Sequence, residues 1–237
     1  MDDITTSGRP IATRVAVSIN ALVAAAALAV KIGESATTPD PQFPSVVGRV
    51  ANELCYFTIQ SNLIVVAVCV LLAWRPDRRV AGAPRLVGLT CITVTGVVYY
   101  TLLAADQQYV GIAAMADVLA HAVSTILFVG TWLVLGPRGR LHARHVGALF
   151  AFVAFWVTLT LVRGAIIHVY PYDFVDVAAN GYLAVIATIL VLTAAATALA
   201  ASAVRIDQRL AARVSAPAGD VQHWGPSRAS TTWGVKT

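Results

Sequence analysis

Six uniformly apolar stretches of about twenty residues divide the chain, at 12–33, 53–74, 86–104, 113–135, 145–167 and 180–204. Each has the length of a helix that crosses a hydrocarbon core about 30 Å thick. None alternates apolar with polar residues, so they read as helices and not as strands of a membrane barrel. Composition agrees: 58% of the 237 residues are hydrophobic and 12% are charged, about half the roughly 25% charge that coats a soluble domain. The expected fold is an all-α membrane protein, a six-transmembrane-helix bundle.

Basic residues set the orientation, because Lys and Arg are retained on the cytoplasmic side. Arg9 and Arg14 precede or open span 1, and Arg75, Arg78, Arg79 and Arg85 join spans 2 and 3. Arg138, Arg140 and Arg144 join spans 4 and 5, and Arg205, Arg209, Arg213, Arg228 and Lys236 follow span 6. Fourteen of the seventeen basic residues therefore fall on one side, which predicts that both termini are cytoplasmic. Arg49 lies in an opposite loop, while Lys31 and Arg163, near the opposite span ends, are expected to snorkel. Topology accounts for the net charge of +5, and nothing in the chain resembles a reader of nucleic acid.

The domain plan is a cytoplasmic segment at 1–11, a transmembrane domain at 12–204 and a basic cytoplasmic tail at 205–237, largely disordered after about residue 214. Arg205, Arg209 and Arg213 recur every four residues and extend span 6 as a basic stripe suited to anionic headgroups. Span 1 exceeds the 7–15 apolar residues of a signal peptide and reads as a retained helix. Short connections predict antiparallel packing, with Gly96, Gly130, Gly147 and Gly164 letting helices approach. Cys55, Cys69 and Cys91 form no disulfide or metal pattern, and no glycine-rich phosphate loop occurs, so neither a metal nor another cofactor is expected. The composition points to a bacterial cell membrane.

Polar residues inside the spans carry the functional signal, since such groups are costly in lipid unless paired or used. Span 2 holds Thr58-Ile59-Gln60-Ser61-Asn62. Its i, i+3, i+4 spacing places Thr58, Ser61 and Asn62 on one helical face, with Gln60 elsewhere. Spans 2 and 4 both run inward from the outer side. Thr58 is then roughly 7–8 Å deep and His121 roughly 12 Å deep, at 1.5 Å per residue. Asp117, one turn before His121, shares its face. A carboxylate-oriented imidazole beside a hydroxyl is the pattern of general-base and nucleophilic catalysis. Glu34, Arg49, Asn52, Glu53, Tyr99, Arg163, His168 and Asp173 add polarity near the outer ends of the spans, whereas their inner halves are almost wholly apolar. An outward-opening pocket is expected. Tyr170-Pro171-Tyr172 fits an interfacial aromatic belt at its mouth.

Four segments carry a resemblance: Tyr56-Phe57-Thr58-Ile59-Gln60-Ser61-Asn62, Leu119-Ala120-His121, Pro137-Arg138-Gly139-Arg140-Leu141 and Tyr170-Pro171-Tyr172-Asp173-Phe174. Together they resemble the bacterial branch of the six-helix membrane family related to the androgen-induced and androgen-dependent membrane proteins, over about residues 12–204. Eukaryotic members are membrane-embedded hydrolases that cleave fatty acid esters of hydroxy fatty acids. The resemblance implies Thr58 as nucleophile and His121 as base. Relatives carry a proline soon after the histidine, whereas here none occurs before Pro137, so span 4 is expected to run straighter.

Two classes of function fit these residues. One is an intramembrane lipid-ester hydrolase in which Thr58 and His121 act on a fatty-acyl ester, Asp117 orients the base, and Ser61, Asn62 or a backbone amide faces the oxyanion. The other is a non-enzymatic membrane protein that binds or moves a lipid or small solute, with Asp117, His121 and Arg163 as ligands for ions, protons or headgroups. Apolar inner halves argue against full transport. Membrane lipids are the expected partners, and no motif identifies a protein partner.

Overall fold

The computed structural model describes residues 4–74 and 82–215. Arg75, Arg78, Arg79, Arg228 and Lys236, and the tail expected to be disordered, lie outside the described residues. Six helices are long and apolar enough to cross a membrane. Among the described residues there is no strand. The chain is a multi-pass, all-α integral membrane protein.

Helix α1 runs over Ile4–Thr37, and a short α2 at Val46–Glu53 precedes α3 at Phe57–Trp74. Helix α4, Gly82–Val98, continues into a π-turn at Tyr99–Leu103. The fourth crossing is built from α5, Gly111–Val118, a π-turn at Leu119–Val123, and α6, Ser124–Val134. Helices α7, Val146–Ile167, and α8, Val177–Ser215, complete the bundle. The second crossing thus starts at Phe57 and not at residue 53. Residues 46–53 form a separate amphipathic helix, capped by the Ser45 hydroxyl on Gly48 N, whose polar Arg49, Asn52 and Glu53 keep it out of the apolar run. The last helix passes residue 204 and reaches Ser215.

Helix α4 is the centre of the bundle, with 56% of its apolar window buried against 17% for α7 and for α8. Side chains such as Phe155, Ile166, Leu183 and Val191 on those outer helices are exposed, as a lipid-facing surface requires. The main core joins Val65, Val68 and Cys69 of α3 to Leu86 and Ile92 of α4, Phe128 and Trp132 of α6, and Ala200 and Val204 of α8. A second core, around Trp156, Val175 and Val185, packs the 170–175 segment onto α7 and α8.

Gly96 provides a close approach: a Cβ there would sit 2.9 Å from the carbonyl oxygen of His121. Gly164 likewise makes room for the ring of Tyr170. Gly130 and Gly147 have nothing within 4 Å of a built Cβ, so they do not mediate helix contacts as the small-residue pattern predicts. Their faces of α6 and α7 point away from neighbouring helices.

At the end of the bundle where α1 begins and α8 finishes, one buried carboxylate organises the 135–142 loop. Asp207 Oδ2 accepts from Arg140 N at 2.7 Å and Leu141 N at 2.9 Å, and Oδ1 accepts from Trp132 Nε1 at 3.4 Å. Arg85 donates to Pro137 O at 2.9 Å, and Thr13 donates to Leu135 O at 2.9 Å. The basic stripe is therefore docked by the acid between its arginines. Asp207→Ala leaves buried donors unpaired and is expected to lower stability by about 2–4 kcal/mol. Asp207→Asn, which keeps a side-chain carbonyl, should lose less. Unfolding in detergent micelles with a chemical denaturant measures both.

Candidate functional site

Thr58 is the second residue of α3, so its backbone N–H belongs to the first turn, which has no acceptor within the helix. That N–H donates to Tyr172 Oη at 3.3 Å. The side chain points toward the fourth crossing, where Thr58 Oγ1 lies 3.2 Å from His121 Nε2. Thr58 is thus at the start of the helix and not five residues inside it. The positive end of the α3 dipole falls on the hydroxyl, where it favours developing negative charge.

His121 sits in a π-turn, in which Ser124 N–H reaches Leu119 O five residues back. The wider turn is the departure from the expected straighter span; it shifts the hydrogen-bond ladder locally, a distortion that recurs at functional sites. His121 Nδ1 lies 2.9 Å from the backbone oxygen of Asp117 and 3.2 Å from its Oδ1. A backbone carbonyl only accepts, so Nδ1 carries the proton. In the neutral ring Nε2 is then the acceptor. It follows that Thr58 Oγ1–H donates to Nε2. The Tyr172 hydroxyl, 3.4 Å from Thr58 Oγ1, takes the N–H of Thr58 on its oxygen and is left to donate to Oγ1.

A second π-turn, at Tyr99–Leu103 of the third crossing, faces the first. Tyr99 stacks on the His121 ring at 3.7 Å between centroids and 15° between planes, which fixes the plane of the imidazole. Lys31 Nζ lies 3.3 Å from Asp117 Oδ1 and 4.3 Å from the centre of the Tyr109 ring. Lys31 does not snorkel away from the protein: the carboxylate of Asp117 draws it inward.

Helical spacing places Ser61 and Asn62 beside Thr58, but the structure separates their tasks. Ser61 Oγ donates to Phe57 O at 2.6 Å and lies 2.7 Å from Thr95 Oγ1 on α4. Asn62 uses its amide hydrogens on Thr58 O at 2.9 Å and Ala120 O at 3.1 Å, tying the start of α3 to the π-turn. The 100° between successive helical residues is enough to turn Ser61 to α4 and Asn62 to the fourth crossing. Gln60 points elsewhere, donating to Leu54 O. Arg163 is not brought to the site; it bonds Asn52 Oδ1 and approaches the Phe43 ring at 5.6 Å, tying α7 to the segment before α3. His168 is an exposed, left-handed residue closing α7.

Two cavities meet at Thr58. One, of about 290 Å³, is polar and is bordered by Lys31, Glu53, Tyr56, Asp117 and His121. The other, a narrow cleft of about 70 Å³, is walled by Phe57, Val94, Val153, Trp156, Phe174 and Leu192. Thr58, Leu103 and Tyr172 border both. Tyr172 is the site residue that a sequence reading assigns to an aromatic belt. Packing of the 170–175 segment on α7 and α8, with Pro171 buried, turns Tyr172 inward, and no local sequence signal marks it. Among the described residues, no three His, Cys, Asp or Glu side chains are grouped as metal ligands. Comparison with family models, curated proteins and solved structures finds no match.

Burial raises the pKa of three groups bordering the polar cavity outside the crossings. Tyr56 is pushed up to about 12, mainly by desolvation and then by the nearby Glu53. The Tyr172 phenol is also raised by burial, with hydrogen bonds at Thr58 and Phe57 opposing the shift. Glu53 is raised above the usual carboxylate range by burial, partly offset by Lys31. A carboxyl whose folded pKa is raised favours the native state when protonated. That contribution is fully present below the unfolded value, about 4.3 for Glu, and is lost as pH rises through the folded value. Glu53→Gln is therefore expected to raise the melting temperature at pH 8, with the difference vanishing below about pH 4. Thermal melts across this range test the sign.

Proposed function

We propose that the protein is an intramembrane hydrolase of carboxylic esters of lipids, with Thr58 as nucleophile and His121 as general base. The observation that carries this reading is the 3.2 Å contact between Thr58 Oγ1 and His121 Nε2, on an imidazole whose other nitrogen is held by Asp117. The resemblance of the Thr58, His121, Pro137–Leu141 and Tyr170–Phe174 segments to the androgen-induced and androgen-dependent membrane hydrolases supports the same chemistry, with a fatty-acyl ester as substrate.

In the first half-reaction His121 Nε2 takes the proton of Thr58, and Oγ1 bonds to the ester carbonyl carbon as the carbonyl π-pair moves onto oxygen. The tetrahedral adduct collapses. The bond from carbon to the alcohol oxygen breaks, the leaving oxygen takes the proton from Nε2, and the acyl group remains on Thr58. In the second half-reaction water gives a proton to Nε2 and attacks the acyl carbon. Collapse releases the fatty acid, and the proton on Nε2 returns to Oγ1. Ester and water become acid and alcohol, with no other reactant.

Asp117 holds the Nδ1 proton and stabilises the imidazolium formed at each transfer. The apolar cleft receives the acyl chain, and the polar cavity receives the alcohol portion and water. The basic-residue pattern supports an outward-facing cavity, and the composition supports a bacterial cell membrane as its setting.

A fluorophosphonate probe on the purified protein in micelles tests the nucleophile. Labelling is expected in the wild type, absent in Thr58→Ala and at least about 10²-fold slower in His121→Ala. Labelling that persists in Thr58→Ala removes this nucleophile. Lipid or solute flux in proteoliposomes that survives loss of both residues favours the non-enzymatic reading instead.

A further inference from the structure

Tyr172 holds a position that the hydrolase reading leaves without a task. Its hydroxyl reaches both polar atoms of the nucleophilic residue, 3.3 Å from Thr58 N and 3.4 Å from Thr58 Oγ1. It also borders both cavities, at the junction where an ester carbonyl has its acyl chain on one side and its alcohol on the other.

Acyl transfer needs a donor aimed at the carbonyl oxygen as that oxygen becomes negative. The neighbours of Thr58 can be taken in turn. Both Asn62 amide hydrogens are held, by Thr58 O and Ala120 O. Ser61 has one hydroxyl hydrogen, engaged with Phe57 O or Thr95 Oγ1. The Lys31 ammonium has three hydrogens, but its contacts are with Asp117 Oδ1 and the Tyr109 ring and not with Thr58. His121 Nε2 is an acceptor until it receives the nucleophile's proton, which it then returns to the leaving group. The Thr58 N–H points at the Tyr172 oxygen. The remaining hydrogen beside Oγ1 is that of the Tyr172 hydroxyl.

We propose that Tyr172 is a catalytic residue, the oxyanion donor of this site: as Thr58 Oγ1 bonds to the carbonyl carbon, the Tyr172 O–H turns from Oγ1 to the carbonyl oxygen. This assignment rests on the hydrolase reading above. No proton is transferred; Tyr172 donates a hydrogen bond while the π-pair settles on oxygen, and the bond weakens when that pair reforms the carbonyl.

The arrangement suits the task in three ways. The Thr58 N–H continues to bond the phenol oxygen while its hydrogen turns, polarising the O–H further. The ring is fixed edge-on against Tyr56 at 5.5 Å and stacked on Phe174 at 5.2 Å, so only the hydroxyl rotor moves. The first turn of α3 adds its positive end at the same place. Burial raises the phenol pKa, which keeps the hydrogen in place at neutral and mildly alkaline pH.

The test uses the full-length protein in micelles with the p-nitrophenyl ester of a long-chain fatty acid, and the matching ether, which has no carbonyl, as a non-reacting ligand. Tyr172→Phe is expected to lower kcat by about 10²–10³-fold, with KM, ether affinity and melting temperature nearly unchanged. Fluorotyrosine at position 172 preserves the ring contacts and should change kcat with phenol acidity. Tyr172→Phe that keeps kcat within about threefold overturns the proposal, as does parallel loss of ether binding and kcat together with a flat fluorotyrosine series. If the wild type turns over no faster than Thr58→Ala, the hydrolase reading itself fails, and the assignment of Tyr172 fails with it.

Discussion

The hydrogen bond from His121 Nδ1 to the backbone carbonyl of Asp117 is the interaction on which the rest of the site depends. Because a carbonyl can only accept, it decides the tautomer, and the tautomer decides the direction of every neighbouring bond. Thr58 becomes a donor to Nε2, and Tyr172 becomes a donor to Thr58. The π-turn holds that carbonyl and ring together, Gly96 admits α4 close to the His121 backbone, and Tyr99 lies over the ring. Asn62 then fixes α3 against this unit through Ala120 O. These contacts come from the second, third and fourth crossings, so the site is a product of the bundle and not of any one helix.

The two ends of the molecule use polar groups differently. Around Asp207, buried donors and acceptors are paired so that a loop is held shut, with Trp132, Arg140 and Leu141 converging on one carboxylate. Around Thr58, the hydroxyls, the imidazole and the Asn62 amide hydrogens are paired while Asn62 Oδ1 is not, and the group borders open space where a second molecule can compete for these bonds. This contrast separates a structural network from a candidate reactive one, since buried polarity alone does not distinguish them.

The six crossings were legible because hydropathy in lipid is a property of composition over twenty residues, insensitive to details. Thr58 and His121 were legible as polar exceptions within or at the edge of apolar runs, and the structure brings the two side chains together at 3.2 Å although Thr58 stands at the start of α3. Other features were not. The π-turns at Tyr99–Leu103 and Leu119–Val123 each insert one residue into a helix, and neither segment has a Pro or Gly to mark it. Tyr172 lies beyond the apolar run, where tyrosine ordinarily marks the membrane interface; only tertiary packing of the 170–175 segment on α7 and α8 turns it inward. Helical spacing grouped Ser61 with Asn62, yet adjacent residues on a crowded helix meet different neighbours. Lys31 was misread because snorkelling assumes no acid within reach, and Asp117 comes from a crossing 86 residues away in sequence.

The Lys31 to Asp117 pair has a consequence for the electrical state of the site. In the base form that the proposed mechanism uses, the imidazole holds a single proton on Nδ1 and adds no charge, while the ammonium and carboxylate cancel. On the mechanism proposed above, formation of the imidazolium coincides with formation of an oxyanion, so the sum is again zero. Without Lys31, the resting cluster would carry one uncompensated negative charge beside the hydrocarbon, where isolated charge is expensive. The lysine therefore lets a carboxylate serve the histidine within a membrane while the summed charge of Lys31, Asp117, His121 and the reacting atoms, apart from the neighbouring Glu53, stays constant through the cycle.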